Sequence, residues 1–330
     1  MIVFTRTMAF GYRAKEAWTV RVVVALGGNA LSPSRSTGSV EEMRSSLLET
    51  GEVLAGLVER GVSLVLTHGN GPQVGRILLQ QEAAAPDVPP MPMDVCGAQS
   101  QGQIGYLLAQ AVDNALGRRG LPQRVVTLVT QVVVDGRDPA FRRPTKPVGP
   151  YYDGDGAQRL AAVSGHVFRE ITPGRWRRVV ASPRPLGFVE NPVLRLVVEA
   201  GHVLVAAGGG GVPVVCDGGL YRGVEAVVDK DRTAAQLARI VEAEQLVILT
   251  EVPRVQTGFG TERARECARL TVGEARHLLV EGEFPEGSMG PKVEACCDFV
   301  EAGGERAVIA ALRDAADAVF GTAGTSVVRD

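Results

Sequence analysis

The sequence predicts an α/β protein built on a mostly parallel sheet, and three observations predict it. Short β-branched runs alternate with helical stretches, and the runs end in glycine-rich turns. The 330 residues, 45% apolar and 22% charged, can bury a sizeable core without a disulfide or metal staple. In order, residues 21–26 (RVVVAL) read as a buried parallel strand ending in Gly27-Gly28-Asn29. Ser39 and Glu42 form a capping box ahead of a helix carrying Met43, Leu47, Leu54, Leu57 and Val58, stopped by Gly61. Residues 62–67 make the next strand, running into His68-Gly69-Asn70-Gly71, so the two strands are parallel neighbours joined by a crossover helix. Further strands are expected at 125–134, 202–207, 245–250 and 307–310. Residues 136–187 break this rhythm with prolines, nine Arg, Lys146 and five aromatics, and read as an inserted lid over an anionic substrate. From Gly218 the alternation resumes and marks a second lobe. The expected organisation is an extension (1–20), an N-terminal lobe (21–217) carrying the protruding 136–187 segment, and a C-terminal lobe (218–330).

Composition excludes several classes of function. A formal charge of −2 leaves no global footprint for nucleic acid or an acidic membrane surface. That neutrality, with no RNA-binding signature, favours a lid over the rival reading of 136–187 as a single-stranded nucleic acid platform. The longest nearly apolar run, residues 203–216, is too short to span a bilayer and holds four consecutive glycines. The five cysteines show no CxxC spacing and, with four scattered histidines, no zinc pattern. This usage suggests a reducing, cytoplasmic compartment, with Cys296 and Cys297 on the buried stripe of a helix. Residues 1–20 lack a continuous apolar stretch and do not read as a secretory signal, and Met8 offers another initiation point.

The 35 basic residues divide into 31 Arg and only four Lys: Lys15, Lys146, Lys230 and Lys292. Lys146 lies between prolines in PTKP, Lys230 between Asp229 and Asp231 at a helix start, and Lys292 after Pro291 at another. Four glycine-rich turns follow strands in this reading: Gly27-Gly28-Asn29, Gly69-Asn70-Gly71, residues 208–211 and residues 287–290. Several such turns at a sheet's carboxyl edge imply a large anionic ligand. Three point cations, these turns and an Asp able to position two of the lysines suit phosphoryl transfer, which is mostly alignment and charge neutralisation. His68 is a candidate general base, with a structural role the stronger reading. An acceptor that is already an oxyanion needs no base. The rival is a dinucleotide oxidoreductase, since residues 69–75 read GxGxxxG; the ribose-binding acid would then fall near Asp94, which is no strand end.

Eight ordered motifs carry a more specific signal: VVALGGNA (23–30), THGNGPQVG (67–75), SQGQIGY (100–106), LVTQVVVD (128–135), PTKPVGP (144–150), AAGGGGVPVV (206–215), GVEAVVDKD (223–231) and GSMGPKVEA (287–295). Through them the chain resembles the amino acid kinase family, and within it the branch that acts on carbamate. The resemblance implies a three-layer αβα sandwich of two lobes with a protruding subdomain, usually a homodimer. It also implies the reaction ATP + carbamate ⇌ ADP + carbamoyl phosphate, with Mg²⁺ carried by the nucleotide phosphates and no protein metal site. Many members run toward ATP in arginine or ureide breakdown. Relatives acting on amino acid carboxylates carry a lysine on the first strand, where this chain has Val24-Ala25-Leu26; Lys146 matches the lid lysine used instead. By the same matching, Lys230 and Lys292 neutralise transferring oxygens and Asp231 orients them. Gly27, Gly28, Asn29, Gly69, Asn70 and Gly71 match substrate and phosphate loops, and Lys230, Thr250, Met289 and Lys292 the nucleotide site. The chain departs after Thr250, where EVPRVQ (251–256) replaces the Asp and Tyr often found around the adenine. A family relative acting on another small carboxylate or phosphonate is the nearest alternative.

Overall fold

The computed structural model describes residues 20–31, 38–85, 87–285 and 287–330. The expected N-terminal extension, Val20 apart, and the side chain of Asn29 lie outside the described part.

An eight-stranded sheet organises the chain. From edge to edge its strands are Arg269–Thr271, Thr325–Val328, Arg306–Ala311, Gln245–Thr250, Val20–Leu26, Val62–His68, Val203–Val205 and Val125–Thr127. The last six are mutually parallel, and the first two run against them. Alternation along Val20–Leu26 divides the core: Val22, Val24 and Leu26 enter one hydrophobic cluster, Val23 and Ala25 the other. The first cluster is covered by the helices Val40–Glu59, Met93–Arg118 and Ala315–Val319. The second is covered by Asn191–Glu199, Lys230–Ile240, Val272–Val280 and Met289–Glu301. This is the three-layer αβα sandwich expected. The Ser39 capping box is present, and Cys296 and Cys297 are fully buried on their helix.

Parallel pairing places the ends of four strands, at Leu26, His68, Val205 and Thr250, along one edge of the sheet. The glycine turns at 27–28, 69–71 and 208–211 follow three of them. The 287–290 turn differs from expectation: it follows the helix Val272–Val280 and begins the helix Met289–Glu301, so no strand delivers it.

Residues 125–134 also depart from the single strand expected. They form two strands in different sheets, Val125–Thr127 and Gln131–Val134. The break is made by Gln101, a buried residue of the helix Met93–Arg118. Its Oε1 accepts from the Thr130 N–H at 3.0 Å and its Nε2 donates to the Thr130 carbonyl at 3.2 Å. The Thr130 N–H is thereby withdrawn from a ladder, while its carbonyl also accepts from the Val212 N–H at 2.8 Å, where pairing with the second sheet begins. The second strand joins a four-stranded sheet ordered Leu220–Gly223, Val212–Asp217, Gln131–Val134, Pro185–Phe188. The expected lobe boundary at 217/218 falls in the turn of this sheet's antiparallel hairpin.

Within the 136–187 segment, Lys146–Tyr152, Arg175–Val180 and Val167–Thr172 form an antiparallel sheet of their own, accompanied by the helix Gly154–Ser164. Val148 and Val180 pack against Val74, Ile77 and Leu78 of the helix Gly71–Ala84, so the subdomain is seated on the helix that begins at the second glycine turn.

Candidate active site

Two helix N-termini and the lid converge on a cavity of about 260 Å³. The helix Lys230–Ile240 is capped by Asp229, whose Oδ1 accepts from the Asp231 N–H at 2.9 Å. Lys230 therefore occupies the first helical position. Lys292 lies in the first turn of Met289–Glu301, where Pro291 is tolerated because the N–H it lacks has no intrahelical partner. Lys146 opens the first lid strand, paired with Val180. Both helix dipoles thus add positive potential to the lysine charges.

Two carboxylates organise the three ammonium groups. Asp231, only 3% exposed, accepts from Lys230 Nζ at 2.6 Å through Oδ1 and from Lys292 Nζ at 2.9 Å through Oδ2. Burial pushes its carboxyl up, but Lys230 and Lys292 together hold it below the ordinary value. Burial also lowers the Lys230 ammonium below the ordinary lysine value, against the attraction of Asp231. Asp229 Oδ2 accepts from Lys146 Nζ at 2.7 Å. Its carboxyl is raised by burial and lowered more strongly by Lys146, Lys230 and the Asp231 N–H, to about 2. Removing the buried Asp231 from between its two lysines would cost about 3–5 kcal/mol, because the charges left behind are uncompensated.

The glycine turns bring backbone up to these charges. Gly69 lies against the Lys230 stem, where an added methyl would stand 3.4 Å from Cδ. Gly209 has φ +65°, and a side chain there would collide with the Asn70 amide. Asn70 donates to Ser100 Oγ at 2.8 Å, which fixes the amide against the turn. His68 is buried, and its Nδ1–H donates to the Gly69 carbonyl at 2.9 Å. Burial and the nearby Lys230 outweigh that bond and bring the imidazole down to about 4. It is neutral at working pH and holds the turn.

Of the residues singled out in the sequence, Lys146, Lys230, Asp231 and Lys292 line this cavity, as do Gly28, Gly69, Asn70 and Gly71. Gly27, Thr250 and Met289 are not on its wall. The Gly27 N–H donates to the Leu249 carbonyl at 3.0 Å, Thr250 ends its strand, and Met289 packs against the core. The EVPRVQ stretch turns into a short hairpin, Val255–Thr257 with Arg265–Cys267, and buries Val255. Two charged residues of the wall carry no motif signal of their own. Asp229 was visible only as a neighbour of Lys230, and Arg177 was one of nine arginines in the insertion.

A covered parallel sheet with point cations and open backbone at its carboxyl edge defines a phosphotransferase of the α/β class. Residues 20–311 match the sequence model of the Amino acid kinase family. The carbamate kinase of Pyrococcus furiosus is 48% identical over 310 residues, 93% of this chain and 99% of that protein. The carbamate kinase of Clostridium perfringens is 41% identical over 314 residues, 94% of this chain and 100% of that protein. Among solved structures, carbamate kinase from Giardia lamblia bound to AMP-PNP matches with a TM-score of 0.89 at 39% identity, covering 94% of this chain and 99% of that one. The chain belongs to the amino acid kinase family, among its carbamate kinases.

Proposed function

We propose that this protein transfers a phosphoryl group between ATP and carbamate, ATP + carbamate ⇌ ADP + carbamoyl phosphate. The observation that carries the reading is the lid lysine. Lys146 reaches the cavity from the inserted subdomain and shares its wall with Lys230 and Lys292, while the first strand carries the apolar Val24, Ala25 and Leu26 just before its glycines. A carboxylate oxygen of carbamate attacks the γ-phosphorus as ADP leaves. The acceptor is already anionic, so no general base is required and neutral His68 is not asked to act as one. The ammonium groups neutralise the transferring oxygens, and Asp231 holds two of them in register.

Mg²⁺ is assigned to the nucleotide phosphates. Asp229 and Asp231 are both engaged by lysines, and no group of three His, Cys, Asp or Glu among the described residues gathers to hold an ion. The carbamate end is assigned to the N-terminal lobe with its lid and the nucleotide end to the C-terminal lobe, with Gly27, Asn29, Thr250 and Met289 retained as ligand contacts on motif matching. Physiological flow toward ATP in arginine or ureide breakdown, and a homodimeric state, rest on the family resemblance. A cytoplasmic location is supported by five free cysteines, and no described helix is long and apolar enough to cross a membrane. ADP release from ATP that depends on added carbamate tests the reading. Release indifferent to carbamate, with another small carboxylate or phosphonate promoting it, contradicts the substrate.

A further inference from the structure

The charges on the cavity wall do not balance. Among its described residues four cations, Lys146, Arg177, Lys230 and Lys292, face two carboxylates, Asp229 and Asp231. Each lysine touches a carboxylate. Arg177 touches none among the described residues. Its neighbour Arg178, on the opposite face of the same strand, is paired with Glu225, so the lid distinguishes an arginine with a counter-ion from one without.

The way Arg177 is held shows which part of it remains available. Its Nε and Nη2 both donate to the Gly149 carbonyl, at 3.1 and 2.7 Å. That fixes the side edge of the guanidinium, while Nη1, on its end edge, has no hydrogen-bond partner among the described residues. The Tyr151 ring lies 5.2 Å from its central carbon, a second restraint on the plane. A planar fork pre-organised in this way, facing a cavity and lacking a counter-ion, suits a ligand with paired oxygens.

We propose that the open edge of Arg177 binds the acceptor end of the substrate: the carboxylate of carbamate in one direction, the carbamoyl oxygens of carbamoyl phosphate in the other. This deepens the reaction assigned above and rests on it. The three lysines are gathered by the two carboxylates at the helix N-termini, where the phosphoryl oxygens are neutralised. Arg177 stands apart from that cluster on the lid. A cation there offsets the repulsion between an anionic acceptor and the incoming phosphoryl group, which no lysine already committed to a carboxylate does as well. The lid then supplies both a phosphoryl cation, Lys146, and an acceptor cation, Arg177.

The experiment measures KM for carbamoyl phosphate, KM for ADP and kcat in wild type, Arg177→Gln and Arg177→Lys, with thermal melts to establish folding. The expected result for Arg177→Gln is a rise of about 10- to 100-fold in KM for carbamoyl phosphate, the loss of a hydrogen bond to a charged group, with KM for ADP within about twofold. Arg177→Lys keeps the charge, loses the fork and falls between. If Arg177 only braces Gly149, three positions along the strand from Lys146, kcat falls while KM for carbamoyl phosphate stays put, and the proposal is overturned. A wild type that makes no ATP overturns the parent reaction and this inference with it. An active wild type with unchanged KM in folded variants overturns this inference alone.

Discussion

Lys146 Nζ lies 2.7 Å from Oδ2 of Asp229, a residue 83 positions further along the chain that also caps the helix bearing Lys230 and Asp231. One carboxylate therefore ties the lid to the element that positions the other cations, so the site is assembled across the fold.

Lys146→Arg keeps the charge but replaces a compact ammonium with a larger fork that favours bidentate partners. A misplaced transition-state donor costs roughly 10²–10³ in turnover, about 3–4 kcal/mol. The Lys146 side chain is 38% exposed, so the melting temperature should barely move. Steady-state kinetics should put the loss in kcat, with KM for ADP nearly unchanged; a near-normal kcat would make Lys146 a solvated lid residue.

Asp229→Asn retains a good N-cap but removes the partner of Lys146, whereas Asp229→Ala loses both. The Ala variant should be less stable than the Asn variant by about 1 kcal/mol, as read from denaturant melts. Both should lose turnover. In a Lys146→Met background Asp229→Asn should cost little more, because the two act as a unit. Full additivity of the two kcat losses would separate them.

Asp231→Asn leaves Lys230 and Lys292 facing each other in a buried setting with no carboxylate between them. A stability loss of about 3–5 kcal/mol is expected, together with loss of turnover. Urea unfolding checks the first and single-turnover ATP formation the second; a variant of wild-type stability would mean that Asp231 is not the organiser.

The pH dependence has two parts, with definite signs. His68 is held neutral, with its value brought from an ordinary 6.5 to about 4, so the unfolded chain binds the extra proton and stability falls as pH drops between those values. The Asp229 carboxyl is depressed from 3.8 to about 2, so its contribution is complete above the ordinary carboxylate value and is lost as pH falls toward 2. Melting temperature against pH should show both limbs, and His68→Asn should remove the upper one. The pH profile of kcat should carry no imidazole limb near 6.5; such a limb would reinstate His68 as a base.

The alternation of strands and helices was legible because buried parallel strands leave unmistakable β-branched runs, and Val20–Leu26 and Gln245–Thr250 fall within a residue of expectation. The break at Thr130 was not legible. Residues 125–134 look continuous, and the interruption comes from the Gln101 amide, on a helix 29 positions earlier. The lysines stood out because the chain uses so few, and the structure brings three of them to one cavity. Asp229 and Arg177 did not stand out, since their significance lies in partners distant in sequence: Lys146, brought by the lid, for one, and the Gly149 carbonyl, on the neighbouring lid strand, for the other.

Ligand protection tests the lid. Residues 146–180 are held to the body by Lys146–Asp229, Arg178–Glu225 and the Tyr152 hydroxyl, which donates to Glu82 at 2.6 Å. Nucleotide with a carbamoyl phosphate analogue should slow limited proteolysis of this segment. Tight, salt-sensitive binding of single-stranded RNA without ligand protection would restore the nucleic acid reading.

The most direct measurement is carbamoyl-phosphate-dependent synthesis of ATP from ADP by the folded wild-type protein with Mg²⁺, read by a coupled luminescent assay against a heat-killed control. The account predicts ATP formation that requires both substrates and collapses in Lys146→Arg. ATP no higher than the control from a protein that melts cooperatively would contradict it.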